Sequence, residues 1–142
     1  MPKRSAQARW EGGLQQGKGV MKLGSGAFEG AYSFKTRFED AAGTNPEELI
    51  GAAHAGCFSM ALSMLLEKAG HPPKEINTRA EVTLEKDGEG FKIGRIELHT
   101  EADVPGIDGA EFERQAQAAK EGCPVSKALA GTQIDLQAKL KS

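Results

Sequence analysis

The apolar positions of this chain change period several times, and each change marks an element. Ala6 to Glu11 and Gly19 to Leu23 read as short strands on either side of Gly12-Gly13. Tyr32, Phe34, Thr36 and Phe38 then alternate with polar neighbours as a half-buried strand does, so an opening antiparallel meander is expected. At Thr44 the pattern turns helical. Thr44-Asn45-Pro46-Glu47-Glu48 combines N-cap residues, a proline suited to the first helical position and two acids that complement the helix dipole. Leu49, Ile50, Ala53, Cys57, Met60, Ala61, Met64 and Leu65 recur at three- and four-residue spacing until Gly70-His71-Pro72-Pro73 ends the helix. Gly51 and Gly56 each weaken it by about 1 kcal/mol relative to alanine, which points to a kink or to close approach by another chain beside Cys57.

Ile76 to Lys86 and Phe91 to Val104 form a predicted hairpin across Asp87-Gly88-Glu89-Gly90. The inward set changes parity between Phe91 and Ile93 on one side and Ile96 and Leu98 on the other, and Gly94 sits where a bulge would absorb the extra residue. A second helix follows Pro105-Gly106, from about Gly109 to Glu121. Gly122-Cys123-Pro124 restarts a short one through Ala130, and Ile134, Leu136, Ala138 and Leu140 alternate as a last strand. The order βββαββααβ predicts an α+β fold with antiparallel sheets.

The length, 142 residues, suits a single domain spanning residues 1–142 with its own core. Charge removes some partners from consideration. With 18 Lys+Arg against 20 Asp+Glu the net charge is -2, so no global basic field draws in phosphate backbones, and 6% aromatic residues leave little for base stacking. No nucleic-acid partner is expected. Lys3, Arg4 and Arg9 are not followed by an apolar leader segment, and no later run is expected to span or bind a membrane, so a cytoplasmic location is expected. Cys57 and Cys123 would then lie in a reducing compartment, at a spacing that matches neither C-x-x-C nor a zinc site.

Cys57 on the apolar stripe reads first as a small core residue. Cys123, between Gly122 and Pro124, sits at or beside a helix N-cap, where unpaired N–H groups and the dipole favour a thiolate. Two such thiols raise the idea of a reversible redox pair. Arg37, flanked by Phe34 and Phe38 on the predicted strand, is an ordinary surface arginine unless it meets a thiol, whose pKa it would lower. Glu47 has an ordinary role in the first helical turn beside Thr44. His54, three residues before Cys57, could serve that cysteine as a base in a Cys-His hydrolase or act as a metal ligand, but too few His and Cys are present for a metal site.

These residues stand inside Thr36-Arg37-Phe38-Glu39, the run GTNPEELIGAAHAGCFSMALS from Gly43 to Ser63, Val104-Pro105-Gly106-Ile107-Asp108, and Gly122-Cys123-Pro124-Val125-Ser126. The set closely resembles the OsmC branch of the OsmC/Ohr family, the osmotically inducible and organic hydroperoxide resistance proteins of bacteria. The resemblance implies an OsmC-like intertwined homodimer with sites at the subunit interface, using no metal, heme or flavin. It implies a thiol peroxidase in which Cys57 attacks an organic hydroperoxide, Cys123 resolves the sulfenic acid as a disulfide, Arg37 activates the thiolate and Glu47 orients Arg37. An external dithiol, in the family often a protein-bound lipoyl group, would reset it. Phe28, Phe34, Phe38, Phe58, Met60 and Ile107 are candidates for an apolar substrate wall. Glu47 and Cys57 would lie roughly 15 Å apart along a straight helix, so Arg37, a break near Gly51 or the second subunit must bridge them. The runner-up function is a non-enzymatic dimeric binding protein for a hydrophobic small molecule, with the cysteines as packing.

Overall fold

The predicted opening meander is present: β1 (Ala6–Glu11), β2 (Lys18–Leu23) and β3 (Glu29–Tyr32) pair antiparallel in that order. The third strand stops earlier than its alternation predicted. Ser33 turns the chain into a helix, α1 (Phe34–Phe38), because its hydroxyl accepts the Thr36 N–H while the Thr36 hydroxyl accepts the Ser33 N–H at 2.8 Å. Phe34 and Phe38, which suggested a period of two, are instead neighbours one turn apart, with ring centroids separated by 4.8 Å. Arg37 therefore sits on a helix, not on a strand.

The computed structural model describes residues 1–141, and the chain divides into two compact units, Met1–Leu49 and the remainder from Ile50. In the first unit Gly43, at φ +137, lets the chain lie against α1: a Cβ there would stand 2.8 Å from Thr36 Cγ2 and 2.9 Å from the Ala31 carbonyl oxygen. Asn45 then donates to the Thr36 carbonyl at 3.0 Å and accepts the Glu48 N–H at 2.8 Å, which caps the start of α2 (Pro46–Lys68).

That helix runs unbroken through Gly51 and Gly56. Close approach within the second unit does not require Gly51 either, since a Cβ there would lie 3.4 Å from Val82 Cγ2, an ordinary contact distance. Strands β4 (Glu75–Asp87) and β5 (Gly90–Asp103) form the predicted hairpin. Pairing passes from Thr83 with Arg95 to Leu84 with Ile93, skipping Gly94, where a side chain would collide with the Glu85 carboxylate. Helices α3 (Gly109–Gly122) and α4 (Pro124–Ala128) follow, then β6 (Gln133–Leu140). Here the expectation of purely antiparallel sheets fails, because β6 runs parallel to β5. Two intervening helices carry the chain back along the sheet before β6 begins, which is the crossover a parallel pair requires.

The core of this unit is a four-residue-spaced ridge of α2, His54, Phe58, Leu62 and Leu66, packed with Ile96, Leu98 and Ala102 of β5 and Phe112, Ala116 and Ala119 of α3. Ser59 ties the helix to the sheet through the Thr78 hydroxyl at 2.7 Å, and Thr78 continues to Thr100 at 3.0 Å. The opposite ridge of α2, Ala52, Gly56, Met60 and Met64, is also apolar or small, yet exposed. So α2 is apolar round most of its circumference rather than along one stripe. By length and composition it even passes for a membrane span, contrary to the expectation of no such run, although a core helix meets the same criteria and one full ridge of this one lies in a protein core.

Candidate functional site

Cys57 projects from a third ridge of α2, with Ala61 and Leu65, and is half-buried. Cys123 ends α3 and caps α4: its extended backbone (φ -62, ψ 131) lets Sγ accept the Ser126 N–H at 3.4 Å, with Pro124 as the first helical residue. It is fully buried. Both cysteines are free thiols, and the fold brings them close enough for each to shift the other's ionisation. Nothing in their sequence spacing predicts this. It follows from packing α3 against the face of α2 next to its core ridge.

The two sulfurs are not equivalent. Burial pushes the Cys57 thiol above its ordinary pKa, and its bond to Cys123 adds to the effect, against one favourable contact from the Val125 N–H. Burial also acts to raise Cys123, but hydrogen bonds from the Cys57 thiol, the Ser126 N–H and hydroxyl and the Val125 N–H outweigh it, and its pKa falls. Within this unit these contacts favour negative charge on Cys123 over Cys57.

Cys57 opens onto an apolar cleft of about 690 Å³, lined by Met60, Met64 and Leu65 of α2, Ala118 of α3 and Pro124. Of the residues expected to form an apolar wall, Met60 does so here. Phe58 does not, because it is fully buried in the core, and Ile107 packs against that same core. Phe28, Phe34 and Phe38 belong to the first unit, where Phe38 carries the Arg37 guanidinium over its ring at 5.6 Å. Met64, Leu65, Ala118 and Pro124 were not anticipated. Met64 and Leu65 follow Cys57 at seven and eight residues on the helix, a spacing that could have placed them beside it.

Arg37 and Glu47 form a two-pronged pair, Nε donating to Oε1 at 3.1 Å and Nη2 to Oε2 at 2.9 Å. Glu47 is thus more than a helix-dipole residue. It is buried, and the carboxylate that meets Thr44 is that of Glu48, which accepts the Thr44 hydroxyl at 2.7 Å, while Asn45 caps the helix. Arg37 Nη1 makes no hydrogen bond among the described residues and remains a free cationic donor.

His54 does not pair with Cys57. Its Nε2 lies 2.7 Å from Ser126 Oγ, both residues being buried, so the Cys-His hydrolase reading has no base at its nucleophile. No group of three His, Cys, Asp or Glu residues that could hold a metal ion occurs among the described residues.

The fold carries a helix-borne thiol beside a second, buried thiol at an apolar cleft, and the comparisons give its family. The family profile described as OsmC-like protein matches residues 39–139, and the chain belongs to that family. It is 51% identical over 140 residues to the peroxiredoxin OsmC of Escherichia coli, covering 98% of this chain and 97% of that one. It is 33% identical to the organic hydroperoxide resistance protein OhrB of Bacillus subtilis over 72% of this chain and 74% of that one. A crystal structure of OhrB from Bacillus subtilis superposes with a TM-score of 0.69 at 27% identity, covering 96% of this chain and 98% of that one. The α+β fold is that of OsmC and Ohr proteins.

Proposed function

We propose that the protein is a cysteine-based peroxidase that reduces organic hydroperoxides to alcohols, with Cys57 as the attacking thiol and Cys123 as the resolving one. One observation carries the reading: the two thiols are neighbours that shift each other's ionisation, and the more accessible of them faces an apolar cleft. The names of the relatives, peroxiredoxin and organic hydroperoxide resistance protein, support a peroxide-directed redox role. A non-enzymatic carrier would need only the cleft and would leave the thiols as separate packing residues. They are not separate.

The Cys57 thiolate attacks one peroxide oxygen. The O–O bond breaks, an alkoxide leaves and takes a proton to become the alcohol, and Cys57 becomes a sulfenic acid. Cys123 then attacks the Cys57 sulfur, forming the S–S bond and expelling the hydroxyl as water. An external dithiol reduces the disulfide by exchange and is itself oxidised. Family membership supports assigning Arg37 to the first step, where its guanidinium favours the thiolate and the departing alkoxide, with Glu47 fixing its orientation.

The working form in this reading is a homodimer. The exposed ridge Ala52, Gly56, Met60 and Met64 offers a second copy a self-complementary apolar surface. Gly56 supports it further, since a Cβ at that position would meet nothing within 4 Å in this chain and the glycine only weakens the helix. The test is consumption of cumene hydroperoxide and hydrogen peroxide in the presence of dihydrolipoamide. Wild type is expected to turn over, with the organic peroxide preferred, and Cys57→Ser to be inactive. Equal activity of wild type and Cys57→Ser would overturn the reading.

A further inference from the structure

Arg37 stands on a helix of five residues and Glu47 on the first turn of another, ten positions later. A helix as short as α1 has too few internal bonds to keep its own place. Something else must hold it against α2, and the half-buried Asn45 touches both. Its Nδ2 donates to the Thr36 carbonyl at 3.0 Å, and its Oδ1 accepts the Glu48 N–H at 2.8 Å. All of these residues belong to the first unit.

Each of the two backbone groups lies in a planar peptide unit. The Thr36 carbonyl is in the unit that ends on the Arg37 Cα, and the Glu48 N–H is in the unit that begins on the Glu47 Cα. One side-chain amide therefore bridges the backbone directly behind both members of the ion pair. The Thr36 carbonyl also needs a donor from elsewhere, because α1 stops before residue 40, whose N–H would have met it in a longer helix. The Thr44 N–H fastens the same stretch to the Ala31 carbonyl of β3 at 2.9 Å.

Capping α2 asks for less than this. Asn, Asp and Ser cap helices about equally well, since each offers an acceptor, and a carboxylate suits the helix dipole better. The two partners leave the amide one orientation, with Nδ2 on the carbonyl and Oδ1 on the N–H. What asparagine adds is the donating end, and that end reaches α1.

We propose that Asn45 is a positioning residue: it locks α1 to the first turn of α2 and so holds the Arg37 guanidinium in register with Glu47. Its effect on turnover rests on the peroxidase reading, in which Arg37 serves the attacking thiolate. The tether itself does not.

Asn45→Asp separates the tether from the cap, because it keeps the acceptor and turns a carboxylate oxygen towards the Thr36 carbonyl. The first measurement needs no activity. In a nitrogen–proton correlation spectrum of the reduced protein, the Arg37 Nε–H signal is assigned by its loss in Arg37→Lys. Asn45→Asp is expected to speed hydrogen exchange there roughly tenfold, the worth of one hydrogen bond. The second measurement is stopped-flow oxidation by cumene hydroperoxide at pH 7, which Asn45→Asp is expected to slow roughly tenfold, as a small misplacement of a reacting group would. In an Arg37→Ala background the same substitution is expected to change the rate by less than about twofold, since a residue that acts through Arg37 has nothing left to position. Should Asn45→Asp fail to fold, Asn45→Ser replaces it in both measurements, its single hydroxyl being too short to span the two bonds. Exchange at Arg37 Nε equal to wild type overturns the proposal, and so does an equal slowing with and without Arg37. A wild-type protein that no hydroperoxide oxidises defeats the peroxidase reading instead, and the exchange measurement then decides the tether by itself.

Discussion

Glu47 is buried at the first turn of α2 and grips Arg37 of α1 through two parallel hydrogen bonds of 3.1 and 2.9 Å. Such a fork fixes the plane of the guanidinium as well as its position, which a lysine ammonium cannot reproduce. The bond occupies Nε and Nη2 and leaves Nη1 free to donate elsewhere.

Glu47→Ala is therefore expected to slow peroxide oxidation of the thiols by roughly ten- to a hundredfold, the loss that follows when a reacting group is misplaced by about 1 Å. Arg37→Lys should behave like Glu47→Ala, and Arg37→Ala should be worse. Stopped-flow oxidation against pH checks this. In Arg37→Ala, raising the pH is expected to recover only part of the rate, because base restores the thiolate but not the stabilisation of the departing alkoxide. An Arg37→Ala profile that overlays wild type at every pH would show that Arg37 is a bystander.

The same pair predicts a stability effect. Removing Arg37 leaves a buried carboxylate without its partner, whereas removing Glu47 leaves a partly exposed guanidinium that water can reach, side-chain exposures being 9% and 38%. Arg37→Ala should cost about 1–3 kcal/mol in urea unfolding, and Glu47→Ala less. The reverse order would mean that the pair is not anchored on its carboxylate side.

His54 gives a pH dependence of known sign. Its pKa is lowered in the fold by burial, so between the unfolded value near 6.5 and the depressed folded value the unfolded chain binds the extra proton. Stability is then fully present above about pH 7 and declines as the pH falls through that window. His54→Gln removes the titration. Its thermal midpoint is expected to fall less than that of wild type between pH 7 and pH 5, as followed by circular dichroism. Parallel curves would place the imidazole in contact with solvent.

How much of this was legible beforehand differs from residue to residue. The Pro46 start of α2, the bulge at Gly94 and the cap at Cys123 were readable because each depends on local backbone chemistry. The strand expected through Phe38 was not, since alternation over five residues cannot be told from one helical turn with aromatics at both ends, and the Ser33–Thr36 capping box decides it. The direction of β6 was hidden too, because an alternating strand has the same pattern in either direction. At the candidate site, Cys57 and Cys123 were singled out by their motifs, but their proximity, the Ser126–His54 pair and the cleft depend on how α2, α3 and α4 meet. Phe58 could be no more than a candidate for the apolar wall, because an aromatic beside a cysteine gives no sign in the sequence of which ridge faces the core.

The exposed ridge of α2 makes the oligomeric state testable. Met60 is 77% and Met64 50% exposed, and neither is among the core residues of this chain. Light scattering at micromolar concentration is expected to give twice the monomer mass for wild type, and Met60→Glu with Met64→Glu to give monomers that retain helical circular dichroism. A monomeric wild type would remove the dimer from the proposed function.

The order of the two sulfurs is the sharpest point, because acidity and access disagree. Hydrogen bonds favour the thiolate on Cys123, while burial disfavours it on Cys57. Yet Cys123 is fully buried, and Cys57 is the sulfur that meets the cleft. A thiol with a pKa above about 8.5 is still thiolate to the extent of a few per cent or less at neutral pH, which slows attack by a finite factor. Burial prevents the peroxide from arriving at all, so access decides. A cation near Cys57 would then remove the remaining handicap, which is the work proposed for Arg37. Accordingly, Cys123→Ser exposed to one equivalent of cumene hydroperoxide is expected to yield a dimedone adduct on Cys57, located by peptide mass spectrometry. Wild type is expected to yield the Cys57–Cys123 disulfide, and Cys57→Ser neither product. Adducts confined to Cys123 in the Cys57→Ser protein would reverse the assignment and show that the capped thiolate reacts first.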